Sequence, residues 1–97
     1  MGKLQFSWDP RKANTNERRH GVSFDEATTV FLDEHALLLD DPDHSSDEDR
    51  FLLLGLSSFM RHLVVCHCIR RGDTIRLINA RKATKREQRQ YQERLKR

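Results

Sequence analysis

Apolar residues fall in short blocks between long polar stretches, and their spacing changes from block to block. Phe6 and Trp8 alternate with polar neighbours, which predicts a short strand with both rings on one face. Asp9-Pro10 follows, a capping side chain and then a proline suited to the first helical position. A helix is expected to about His20, where Gly21 can take the left-handed conformation that ends it. Within it only Ala13 is apolar, so its ends or a ligand must hold it. Ser23-Phe24-Asp25-Glu26 reads as a capping box. Phe24, Ala27, Val30 and Phe31 then recur at helical spacing as an inward stripe, and Asp25 and Glu26 suit the positive end of that helix.

Ala36 to Leu39 is a short apolar strand. Asp40 to Asp49, with Pro42, two serines and many acids, is expected to be a mobile loop. Phe51 to Leu56 and Leu63 to Ile69 are nearly unbroken apolar runs, the pattern of strands covered on both faces. Arg71-Gly72-Asp73 is a turn, and Thr74 to Ala80 pairs back from it. Ile75 and Leu77 should share one face, Arg76 and Ile78 the other. Thr84-Lys85-Arg86-Glu87 is a second capping box. Beyond it only Tyr91 and Leu95 are apolar, a narrow stripe that predicts a final helix docked in part or moving. The order predicts a single α+β domain over residues 1–97. Its mainly antiparallel, four- to five-stranded sheet would carry two N-terminal helices and one C-terminal helix.

Composition fits that picture. A chain of 97 residues with 36% apolar and 34% charged side chains is one domain with a thin core. The net charge of +3 conceals segregation: residues 1–24 carry +3, residues 25–50 carry −9 and residues 51–97 carry +9. A basic C-terminal half suits nucleic acid or an acidic protein, and the acidic middle would repel polyanions. No run is long enough to span a bilayer, and Met1 to Phe6 lacks the apolar stretch of a signal peptide. Cys66 and Cys68, two apart, do not resemble a secreted disulfide framework. A cytoplasmic protein with no membrane partner is expected.

The candidate chemistry is cationic. Arg81, Lys82, Lys85 and Arg86 crowd the start of the final helix, where free N–H groups already favour an anion. Arg76, set among apolar strand neighbours, wants a carboxylate or phosphate partner; Asp49 or Glu87 could serve. Arg50 is either a phosphate ligand or the counter-charge of Asp47, Glu48 and Asp49. His20 could move a proton at a ribose hydroxyl, or merely close its helix. His67 and the two cysteines read as core residues, since metal sites space their cysteines more widely. No metal or cofactor motif is present. These groups suffice for RNA cleavage, where the 2′-hydroxyl is an internal nucleophile.

Two separated stretches carry a resemblance. Phe6-Ser7-Trp8-Asp9-Pro10-Arg11-Lys12, Asn16 and Arg19-His20-Gly21-Val22-Ser23-Phe24-Asp25-Glu26-Ala27 look like the N-terminal signature of the BrnT toxins. Arg76 to Thr84, with Glu87 and Tyr91, resembles that family's second signature. The resemblance implies a RelE-like fold and a type II toxin that cuts RNA and inhibits translation. It also implies a BrnA-like antitoxin with a ribbon-helix-helix domain, through which alone the complex would meet DNA. Carried over by position, catalysis falls to His20, Arg50, Arg76 and Arg81, and RNA binding to Lys12 and Lys82; the cations Lys85 and Arg86 of the helix start join the RNA-binding set. Asn79 stands where the family usually shows serine, and Cys68-Ile69 where it commonly shows Thr-Glu. A basic binding module that acts with an antitoxin as an autorepressor, without cutting, is the rival reading.

Overall fold

The computed structural model describes residues 4–40 and 50–96. The loop expected over Asp40 to Asp49 lies outside them from residue 41 onward, and so does the Asp49 offered as a partner for Arg76. Local chemistry explains most element ends. Strand β1 (Gln5–Ser7) leads into helix α1 (Pro10–His20), where the Asp9 side chain accepts from the Arg11 N–H. Gly21 closes α1 at φ 68° and donates its N–H to the Glu17 carbonyl at 2.8 Å. Helix α2 (Phe24–Thr29) runs on into a 3₁₀ turn over Val30–Leu32. Ser23 caps α2 by accepting from the Glu26 N–H at 3.0 Å. The expected return bond from the Glu26 side chain is not made, because that carboxylate turns inward to Ser57 and Arg61.

Strands β2 (Leu37–Leu39), β3 (Phe51–Leu56), β4 (His62–Arg70) and β5 (Thr74–Lys82) follow, then helix α3 (Lys85–Leu95). The sheet order is β1-β5-β4-β3-β2, with β1 parallel to β5 and every other pair antiparallel. The fold is therefore α+β, as expected, on a mixed sheet. The β4–β5 register slips once. His67 faces Leu77 and Cys66 faces Asn79, so Ile78 has no opposite residue. This bulge takes Ile78 out of the strict alternation that placed it beside Arg76, and bends β5 where the candidate site lies.

Two cores flank the sheet. Val22, Phe24, Ala27 and Val30 pack on Leu63, Val65, Ile75 and Leu77. On the other face Tyr91 of α3 packs with Leu54, Val64 and Ala83. Strand β4 is covered on both faces, hence its unbroken apolar run. Cys66 and Cys68 are both buried. His67 points the opposite way, its ring 4.8 Å from that of Phe31, and burial disfavours its protonated form.

Helix α3 is held differently from what its narrow stripe suggests. Leu95 is exposed and anchors little. Tyr91 is buried and donates its hydroxyl to Asp33 at 2.6 Å, and Arg94 donates to the His35 carbonyl at 2.8 Å. Burial together with the Asp33 bond pushes the Tyr91 phenol up to about 12. Burial works to raise the Asp33 carboxyl, but bonds from Tyr91 and from the Leu56 and His35 amides outweigh it and hold it below the usual range. Polar ties dock this helix.

Candidate active site

Strand β1 covers only Thr74 to Arg76 of its neighbour. Past that point the outer edge of β5 meets α1, and buried Asn16 stands in for the missing strand. Its amide nitrogen donates to the Ala80 carbonyl at 2.9 Å, and its oxygen accepts from the Ala80 N–H at 3.0 Å. The same nitrogen reaches the Val22 carbonyl at 2.9 Å. One side chain thus satisfies three buried backbone groups and fixes α1 against β5. Between them opens a cleft of about 360 Å³, lined by Arg11, Lys12, Thr15, Arg19 and His20 from the helix and by Ile78 and Asn79 from the bulge. Lys12, Thr15, Arg19 and His20 recur at helical spacing on one face of α1. That polar stripe was readable in the sequence as the second face of a helix lacking an apolar one. Arg11, Thr15, Arg19 and Asn79 were nevertheless not singled out as site residues.

The other expected residues lie elsewhere. Arg76 lines an open depression of about 340 Å³ with Ser7 and Arg70, on the sheet face away from α1 and α2. It pairs across the strands with Ser7 on one side and Cys68 on the other. Arg50, half-buried, lies one residue before β3, whose first residue Phe51 pairs with His67. Arg76 and Asn79, three residues apart on β5, link depression and cleft over about 10 Å. Arg81 makes a two-pronged pair with Glu87, at 2.8 and 2.9 Å. Glu87 was a suggested partner for Arg76; it belongs instead to Arg81, and it also accepts from the Thr84 N–H at 2.8 Å, completing the predicted box. The Arg81 bond holds the Glu87 carboxyl down at about 2. Lys82 is exposed on the opposite face from Arg81, where its charge acts on Glu26. Lys85 and Arg86 are exposed at the start of α3. The structure sets His20 and Lys12 along one cleft, about two helical turns apart, and places Arg76, Arg50, Arg81 and Lys82 outside it.

A family model described as the ribonuclease toxin BrnT of a type II toxin–antitoxin system matches residues 8–87. The chain belongs to the BrnT family. It is a ribonuclease toxin of a type II toxin–antitoxin system, and the matched span runs from Trp8, through the cleft and the sheet, to Glu87. The 1.1 Å crystal structure of the Brucella abortus ribonuclease toxin BrnT has the same fold, with a TM-score of 0.66 and 19% identity. That match covers 86% of this chain and 100% of the Brucella chain. A comparison with curated proteins gives no match.

One further feature of this BrnT-family toxin escaped the sequence reading. Glu26, almost wholly buried, accepts from Ser57 Oγ at 2.7 Å and from Arg61 Nε at 2.9 Å, and Arg61 Nη2 bonds its other oxygen. The Arg61 bond keeps Glu26 ionised below the usual carboxylate range, against the pull of burial. Nothing in the spacing of Glu26 and Arg61, 35 positions apart, announces the pair. Among the described residues no group of three or more His, Cys, Asp or Glu could hold a metal ion, and no helix is long and apolar enough to cross a membrane.

Proposed function

We propose that this BrnT-family toxin cleaves RNA without a metal ion, in the cleft between α1 and β5. The carrying observation is that one concavity gathers an imidazole, three cations and an amide: His20, Lys12, Arg11, Arg19 and Asn79. His20 takes the proton from a ribose 2′-hydroxyl, whose oxygen attacks the adjacent phosphorus. The P–O5′ bond breaks, the 5′-oxygen takes a proton from Lys12, and the products are a 2′,3′-cyclic phosphate and a 5′-hydroxyl. The arginines offset the charge that grows on phosphorus. Arg76 and Arg50, on the neighbouring face, hold the backbone of the same strand, and the exposed Lys82, Lys85 and Arg86 add charge attraction. Arg81 acts through Glu87 on the position of α3. Cleavage of cellular RNA would inhibit translation in the cytoplasm. The antitoxin is a BrnA-like ribbon-helix-helix protein, and DNA is met only through it. The test is purified protein on defined RNA in a chelator. Wild type should cut, and His20→Ala should lower kcat by about 10²- to 10⁴-fold. Chelator-sensitive cleavage would remove the metal-free step, and an equally active His20→Ala would move the chemistry out of this cleft.

A further inference from the structure

We infer that Arg61 is a positioning residue for His20, an inference that rests on the catalytic role proposed for that histidine. Helix α1 offers little else to fix its last turn. Its only apolar residue, Ala13, is half-buried near the opposite end, and its last turn carries Arg18, Arg19 and His20. Beyond the helix the chain turns through left-handed Gly21, whose carbonyl accepts from Arg61 Nη2 at 3.0 Å. The same guanidinium is locked by both Glu26 oxygens, and Glu26 by Ser57 at 2.7 Å. Ser57 is pinned in turn by the β3–β4 hairpin, its N–H donating to the Arg61 carbonyl at 2.8 Å.

The residue after His20 is therefore tied, through one side chain, to the rigid start of β4. Two further ties hold the chain just past this turn: Asn16 bonds the Val22 carbonyl from within α1, and the Val22 side chain is buried in the core. Asn16 sets how α1 lies along β5, and Arg61 sets where its last turn ends. Arg61 is not among the side chains lining the cleft, so it acts on His20 only through the backbone.

Removing Arg61 alone would strand the buried Glu26 carboxylate, so the variant that tests position replaces both: Glu26→Met with Arg61→Met. A buried ion pair exchanged for apolar side chains often leaves stability unchanged. In a folded double variant kcat should fall about tenfold to a hundredfold, the effect of a reacting group about 1 Å out of place. KM should stay within about threefold, because Lys12 and Arg11 are untouched. Arg61→Lys, which keeps the charge and its donors on a single nitrogen, should recover part of kcat. Ring signals of His20 in NMR spectra of the free protein, assigned with His20→Gln, should shift or broaden in the double variant. Unchanged kcat with unchanged His20 signals in a folded double variant overturns the inference. If wild-type protein cuts no RNA, the proposed reaction falls, and the His20 signals alone decide whether Arg61 positions that ring. Should the double variant fail to fold, Arg61→Lys decides: kcat and His20 signals identical to wild type overturn the inference.

Discussion

Replacing Glu87 by glutamine removes the ion pair with Arg81 and keeps an acceptor for the Thr84 N–H, since glutamine also completes a capping box. A carboxyl whose pKa falls from an ordinary 4.5 to about 2 favours the folded state by about 3 kcal/mol. The Arg81 side chain is 34% exposed and that of Glu87 16%, so solvent screening reduces the expected contribution to about 1–2 kcal/mol. For a depressed carboxyl that stability is present above 4.5 and is lost as pH falls toward about 2. Urea unfolding of wild type and Glu87→Gln, followed by circular dichroism from pH 7 to pH 2, measures it. Glu26 and Asp33 also sit below the usual range, but they are common to both proteins and cancel in the difference. The difference should be about 1–2 kcal/mol at pH 7, or roughly 5–15 °C in Tm, and close to zero at the acid end. A difference that stays constant from pH 7 to pH 2 would show that the pair is not the source.

Three further outcomes follow from single positions. The chain has one tyrosine, so absorbance at 295 nm reads Tyr91 alone; it should ionise near 12, with stability falling as pH rises from 10 toward that value. Tyr91→Phe should remove that pH dependence. Met60 sits at φ 62° on an exposed hairpin tip, so Met60→Gly should stabilise by about 1 kcal/mol, seen as a raised Tm. Gly55→Ala should destabilise by about 1–3 kcal/mol, because a Cβ there would lie 2.8 Å from Val30 Cγ1 and 3.0 Å from Ala36 Cβ. Wild-type stability in that variant would show that Val30 and Ala36 yield to the added methyl without cost.

Signals contained within a few residues translated directly into structure. Asp9-Pro10, Gly21 and the Thr84–Glu87 box each end or begin a helix where expected. The apolar run of β4 foretold a strand buried on both faces. What stayed hidden was every pairing set by the tertiary fold. Ser23–Glu26 matched the capping pattern, yet a half-buried arginine 35 residues away competes better for the carboxylate than the Ser23 backbone amide. The narrow stripe of α3 suggested weak docking, since its Asp33 and His35 partners come from the far side of the sheet order. The candidate site behaved likewise: alternation on β5 ignores the bulge at Ile78 and could not show that Arg76, Arg81 and Lys82 lie in three different places.

The proposal that His20 and its neighbours cut RNA through the ribose hydroxyl is tested most directly by end-group analysis. Wild-type protein is incubated with a defined RNA in chelator, and the fragments are weighed by mass spectrometry beside an RNA lacking the 2′-hydroxyl at the cleaved nucleotide. Fragments ending in a 2′,3′-cyclic phosphate, with the 2′-deoxy position left intact, are the expected result. Cleavage at that deoxy position, or fragments carrying a 5′-phosphate, would contradict it.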